Sequence, residues 1–274
     1  MIVSGQVPSS LAIGPCITQH GKIRTERTMA GTVGMKVAQP EDERLPKRPK
    51  KAEEAIAQAK RAKLLLLSSA KGGSTKTTTA RNLAVAAAHV GLRVATIDLD
   101  LQATLTNWWQ KRPDDAPKID HYQMPIEEAE AALADAMKGS GLDLFIVDTP
   151  PGVENHPSAM RALIRLADFV LMPTTQGGPD LDSVIEWWSQ TVKREGRPSA
   201  FLLSRTKRSA KSYQEARQRL IKHGPLCPFD CRDLEEVQRT HYNGLGILEV
   251  RGAAGQDDIQ GVWAYVAREI GLEG

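Results

Sequence analysis

The chain has 274 residues, 41% apolar and 25% charged, with a formal net charge of +3, a profile that suits a globular protein with a sizeable core. No run of about 18 apolar residues occurs, which excludes an ordinary membrane-spanning helix. Three cysteines exclude a disulfide framework in a chain this long, and no charged-then-apolar leader opens it, so a cytoplasmic protein is expected.

Residues 1–62 read apart from the rest. The first forty are rich in Gly, Ser, Thr, Pro and Gln without a sustained period, and "PEDERLPKRPKKAEEAIAQAKRAK" adds prolines and dense mixed charge. That composition predicts a disordered arm running into a short helix over 52–62, with Met29 and Met35 as alternative starts. From Lys63 onward, short apolar runs alternate with helical segments. The runs are LLLLS (64–68), RVATID (93–98), LFIVD (144–148), FVLMP (169–173) and AFLLS (200–204). Being apolar nearly throughout, they suit strands covered on both faces. Leu181, Val184, Ile185, Trp188 and Val192 share one helical face, as do Ile259, Val262, Trp263, Val266 and Ile270. The alternation predicts an α/β domain over 63–274: a doubly wound, mostly parallel sheet with helices on both faces.

The first strand runs into "SSAKGGSTKTTTARNLAVAAAHVG", a Gly72-Gly73 turn followed by a helix closed at Gly91. Such a loop turns backbone N–H groups of Gly72, Gly73, Ser74 and Thr75 around an anion at the positive end of a helix. Lys76 then reaches the β- and γ-phosphates of a nucleotide and the Thr77 hydroxyl binds Mg²⁺, while Thr78 contacts the α-phosphate or caps the helix. The usual pattern, Gly, four residues, Gly-Lys-Ser/Thr, is broken by Ala70 and Thr75. Two further strands end in acids where ligands of open α/β sheets bind: Asp98 and Asp100 in "TIDLD", and Asp148 in "LFIVDTPPG", placed to hold Mg²⁺ through water.

On these residues the chain resembles the ParA/MinD group of P-loop ATPases, whose deviant loop reads Lys-Gly-Gly-x-Gly-Lys-Ser/Thr; here it is "KGGSTKTT". The resemblance spans about Lys63 to Gly271. It implies an ATP- and Mg²⁺-dependent enzyme that forms a homodimer when ATP is bound. Lys71 would be the signature lysine that reaches the other subunit's phosphates, Asp100 would position the attacking water and Asp98 would support the metal. "DTPPG" is similar to the segment of the Walker B aspartate, Asp148. "LMPTTQGGPDLDSV" is similar to a stretch that puts Pro173 and Asp180 near the adenine and the dimer face. Two departures stand out: Thr75 replaces glycine, tolerable if the backbone there is nearly helical and then compatible with slow turnover, and Ser204 replaces an asparagine common in relatives.

Between Lys193 and Lys222 stand ten Lys or Arg against Glu195 and Glu215. This excess predicts a face for non-specific double-stranded DNA, with Arg205, Lys207, Arg208, Lys211 and Arg217 as contacts. Cys227 and Cys231 lack the spacing of a zinc site. The C-terminal helix reads as core rather than as a membrane-surface helix, so no membrane contact is expected. Together with the resemblance, these features imply a nucleoid-associated partition ATPase that moves a plasmid or other mobile DNA with a ParB-like adaptor. The alternative is a nucleotide-gated binder, or a positioner of protein cargo, with little hydrolysis.

Overall fold

The computed structural model describes residues 61–272. The arm therefore lies outside the described residues, apart from its last two. Of the expected helix over 52–62, Arg61 and Ala62 are non-helical: the Arg61 guanidinium donates to Asp168 at 2.7 Å, and the Ala62 N–H to the Met137 carbonyl at 3.0 Å.

Seven strands form one sheet in the order β3-β2-β4-β1-β5-β6-β7. They are β1 (Lys63–Leu67), β2 (Val94–Asp98), β3 (Asp120–Gln123), β4 (Leu144–Asp148), β5 (Phe169–Thr174), β6 (Ser199–Thr206) and β7 (Cys231–Arg232), and every pairing is parallel. The apolar runs explain themselves in the core. Leu64 and Leu66 pack into one hydrophobic layer, Leu65 and Leu67 into the other, and all four are fully buried. Phe145 and Val147 divide from Leu144 and Ile146 in the same way. Each such side chain contributes about 1.5–3 kcal/mol by leaving water, so a polar residue on either face is costly unless it is hydrogen-bonded.

One layer is covered by α3 (Ile126–Gly139), α4 (Pro157–Leu166), α5 (Gly178–Trp187) and α6 (Lys211–His223). The other is covered by α1 (Lys76–His89), α2 (Thr104–Trp109) and α8 (Gln256–Ile270); the short α7 (Glu235–Arg239) lies at its rim. Ile259, Val262, Trp263, Val266 and Ile270 are buried as the helical period predicts. The face beginning at Leu181 also goes inward, but after Trp187 it continues as a π-turn over Trp188–Val192.

Helix α1 ends as expected at Gly91, whose φ of 85° allows the Gly91 N–H to reach the Ala88 carbonyl and the Leu92 N–H the Ala87 carbonyl, a Schellman closure. Helix α1 leaves β1 toward one face of the sheet, whereas α4 leaves its neighbour β4 toward the other. A crevice opens at the C-terminal ends of such a strand pair. Register aligns what stands there: Leu67 lies beside Asp148, and Asp148 beside Asp98.

Candidate nucleotide-binding site

The loop between β1 and α1 is built around its own carbonyls. The Ser74 hydroxyl donates to the Lys71 carbonyl at 3.1 Å, and the Lys76 ammonium folds back to the carbonyls of Lys71 (3.2 Å) and Ser69 (3.4 Å). Burial lowers the Lys76 pKa, while Asp148, Asp100 and Glu154 oppose that shift. Helix α1 starts with no side-chain cap and no acid in its first turn, so its N-terminal N–H groups and dipole are left for an anion.

Thr75, the helix N-cap, has φ 71° and ψ 17°. This corrects the expectation of a nearly helical backbone. The turn needs the left-handed conformation that glycine adopts without strain, and Thr75 occupies it as a β-branched residue. Its hydroxyl is buried without a partner.

The Thr77 hydroxyl donates to Asp148 Oδ2 at 2.5 Å. Asp148 is fully buried, and burial pushes its pKa up to about 7 against the lowering effects of the Thr77 bond and the Lys76 charge. Its other oxygen, Oδ1, is buried without a partner. An oxygen pair at the foot of the loop with one orphaned carboxylate oxygen suits a hard divalent cation, so Thr77 and Asp148 can hold Mg²⁺.

The two acids at the end of β2 behave differently. Asp98 is fully buried with both oxygens engaged: Oδ1 accepts from the Asp100 N–H (3.1 Å), and Oδ2 from the N–H and hydroxyl of Thr106 (2.9 Å each). It anchors the start of α2, with burial raising its pKa. Asp100 is half-exposed, accepts from the Gln102 N–H at 3.0 Å and lines the cavity above the loop.

That cavity encloses about 470 Å³. Its walls are Gly72 through Thr79, Arg81, Asp100, Thr104, Thr149 and Pro151 on one side, and Ser204, Arg205, the stretch from Cys231 to Leu234, Val237, Gln238, His241, Tyr242 and Ile259 on the other. The second wall, apart from Ser204 and Arg205, was not read from the sequence. It comes from β7, α7 and the turn after them, with Ile259 from α8, brought over α1 through the β6–β7 pairing, and no local motif marks it.

Pro173 and Asp180, expected near the adenine, do not line the cavity. Pro173 is buried within β5 opposite Leu202, and Asp180 accepts from the Thr175 hydroxyl at 2.5 Å at the start of α5. Lys71 also points toward α5, donating to the Pro179 carbonyl of its own chain at 2.9 Å.

The basic segment is partly ion-paired. Acids distant in sequence fold onto it: Asp233 pairs with Arg205 (3.2 Å), Asp230 (3.1 Å) and Asp258 (3.2 Å) with Arg208, and Asp182 with Arg219. Lys211 pairs with Glu215 at 3.3 Å, and Arg217 lies over the Tyr213 ring. Among the described residues Lys193, Arg194, Arg197, Lys207, Arg217 and Lys222 form no ion pair, Lys193 lying over the Trp188 ring. Four of the ten cations, Arg205, Arg208, Lys211 and Arg219, are thus ion-paired, and the segment keeps a positive excess.

A glycine-turned loop after a central strand, a helix N-terminus above it, and a threonine–aspartate pair at its foot define a P-loop nucleotide-binding protein. The family model described as the CobQ/CobB/MinD/ParA nucleotide binding domain matches residues 65–246, and the chain belongs to that family, as a P-loop ATPase of the ParA/MinD type. It is 34% identical over 185 residues to the maintenance of carboxysome distribution protein A of Gloeobacter kilaueensis, covering 66% of this chain and 82% of that one. It is 31% identical over 135 residues to the chromosome-partitioning ATPase Soj of Thermus thermophilus, covering 40% of this chain and 53% of Soj. Among solved structures, a chain of the MinC:MinD cell division protein complex of Aquifex aeolicus superposes with a TM-score of 0.65 at 15% identity, over 76% of this chain and 96% of that one. The apo McdA of Cyanthece gives 0.62 at 18%, over 75% and 99%. These structures share the fold.

Proposed function

We propose that this protein is a Mg²⁺-dependent ATPase that dimerises on ATP and uses the nucleotide cycle to distribute a cargo over DNA. The observation that carries this reading is the Thr77–Asp148 pair with its orphaned Asp148 oxygen, directly beneath a loop that holds Lys76. In this reading Thr77 and Asp148 hold Mg²⁺, which supplies charge neutralisation at the phosphates. Lys76 and the first N–H groups of α1 bind the β- and γ-phosphates. Asp100, half-exposed at the cavity edge, orients water. Lys71 exchanges the Pro179 carbonyl for phosphate across the dimer.

DNA is the proposed matrix, and the cations without an ion pair that are left for it include Arg194, Arg197, Lys207, Arg217 and Lys222, whereas Arg205, Arg208 and Lys211 are ion-paired. The cargo of the first reading is a plasmid or other mobile DNA bound by a ParB-like partner, with the protein associated with the nucleoid. A second reading, protein-cargo positioning, is favoured by the 34% identity to a carboxysome distribution protein. Steady-state ATP hydrolysis, with and without non-specific double-stranded DNA and with Lys76→Ala as the blank, tests the activity. Turnover above the blank that rises with DNA supports it. Turnover equal to the blank, with and without DNA and candidate partners, rejects hydrolysis and leaves a nucleotide-gated binder.

A further inference from the structure

Four buried side-chain polar atoms among the described residues lack a hydrogen-bond partner: Thr75 Oγ1, Arg81 Nη1, Asp148 Oδ1 and Ser204 Oγ. Buried polar atoms are ordinarily satisfied, so unsatisfied ones ask for a missing partner. Thr75, Arg81 and Ser204 all line the cavity, and Asp148 stands at its metal end. Thr75 and Asp148 belong to the phosphate and metal end already described. Arg81 does not.

Arg81 is 2% exposed on α1, five residues beyond Lys76, which is about 7.5 Å farther along the helix axis. It shares a face with Thr78, three residues before it, so a ligand leaving the phosphate loop past Thr78 arrives at Arg81. One nitrogen, Nη2, is fixed by the Val237 carbonyl at 2.5 Å, which aims the guanidinium; the other is free. No carboxylate among the described residues pairs with it. Burial alone lowers its pKa to about 10, and it therefore stays charged at neutral pH. Its charge in turn helps to lower the pKa of His241 on the facing wall, after burial of that ring. A buried, unpaired cation with an aimed donor is costly unless an acceptor arrives.

We infer that Arg81 reads the base of the bound nucleotide, donating from Nη1 to an acceptor on the base edge, with the Ser204 hydroxyl completing the same end of the cavity. This rests on the proposed nucleotide site and adds its specificity determinant. A guanidinium only donates, so it separates bases by where they carry acceptors and amino groups. A contact to phosphate or ribose would be blind to the base.

The test is binding of ATP, GTP, CTP and inorganic tripolyphosphate, each with Mg²⁺, to the full chain and to Arg81→Leu and Lys76→Ala. Arg81→Leu is expected to weaken the preferred nucleotide roughly tenfold or more and to draw the ATP:GTP:CTP affinity ratios toward one. Tripolyphosphate binding should hold within about twofold, the scatter expected of a contact left untouched. Lys76→Ala weakens all four ligands. Unchanged nucleotide ratios in Arg81→Leu overturn the inference, as does an equal loss for tripolyphosphate, which puts Arg81 on the phosphates. If the wild-type chain binds neither nucleotide nor tripolyphosphate, the nucleotide reading itself fails. Should Arg81→Leu not fold, Arg81→Gln keeps a neutral donor and is held to the same ratios, with an intermediate loss.

Discussion

The Thr77 hydroxyl and the Asp148 carboxylate, 71 residues apart in sequence, meet at 2.5 Å where β1 and β4 end side by side. Parallel pairing of Leu67 with Asp148 makes this inevitable: the residue that closes β4 must face the loop that opens α1. Asp148→Asn keeps the shape and removes the charge. Hydrolysis is expected to fall by about a hundredfold or more, a loss typical of a group that stabilises the transition state, while nucleotide still binds through Lys76 and the helix N-terminus. Single-turnover hydrolysis and equilibrium binding on one preparation separate the two. Unchanged hydrolysis removes Asp148 from the metal site.

Thr75 offers a stability test at the same loop. A non-glycine residue held at φ 71° costs roughly 1–3 kcal/mol, part of which glycine returns through its freer unfolded chain. Thr75→Gly should therefore stabilise the nucleotide-free protein by about 1 kcal/mol. With ATP and Mg²⁺ present the gain should shrink, because the buried Thr75 hydroxyl then has a phosphate oxygen to donate to. Denaturant unfolding of both proteins, each with and without ligand, gives the four numbers. A destabilised variant would mean that the left-handed turn is not strained.

The strands buried on both faces, the loop and the acids at the strand ends were legible because each writes a local signal. An apolar run announces two covered faces, and Gly-Gly before Lys-Thr announces an anion turn. Strand β3 writes none: Asp120 and Gln123 are exposed at the sheet edge, and only His121 is fully covered. Strand β7 is two residues long, too short for any period. The distal wall of the cavity was invisible for a related reason. Arg81 looks like one more polar residue in a helix until Val237, 156 residues later, supplies the carbonyl that aims it. Charge was legible only in part, since a count along the chain omits acids that only folding brings in.

Those acids make opposite predictions for neighbouring cations. Asp230 is nearly fully buried and accepts from Thr206 (2.5 Å), Tyr213 (2.8 Å) and Arg208. Arg208→Ala leaves it with less compensation and should cost roughly 2–3 kcal/mol of stability, at the lower end for a broken, partly exposed pair, with little change in the salt dependence of DNA binding. Lys207→Ala with Lys222→Ala should leave the melting temperature within a few degrees and lower the slope of log affinity against log salt by about 1–2. Thermal melts and salt titrations on short duplex DNA check both. The reverse pattern would place DNA on the Asp230 side of β6.

The last prediction concerns a histidine between two threonines. His121 is 1% exposed; its Nδ1 lies 2.9 Å from the Thr96 hydroxyl and its Nε2 2.9 Å from the Thr106 hydroxyl. Thr106 gives its only hydroxyl hydrogen to Asp98, so it can only accept from the ring, and Nε2 carries the proton. Nδ1 lies against the Thr96 hydroxyl, which is also 3.3 Å from the Asp120 carbonyl. Burial drags the pKa of the ring down to about 4. Unfolded, His121 titrates near 6.5, so between about pH 6.5 and 4 the unfolded chain binds more protons and stability falls as pH falls. The full loss attributable to this ring is about 3 kcal/mol, complete near pH 4 and absent above pH 7. Asp148, raised to about 7, works in the opposite sense, so the measurement is a difference. His121→Gln can still bridge both hydroxyls but cannot titrate. It loses the stacking on Trp109, whose ring centroid lies 5.2 Å away, and should be the less stable protein at pH 7. Its unfolding free energy should nevertheless fall less steeply with acid, so that the two curves converge toward pH 4. Parallel curves from pH 7 to 4 would show that His121 does not carry this dependence.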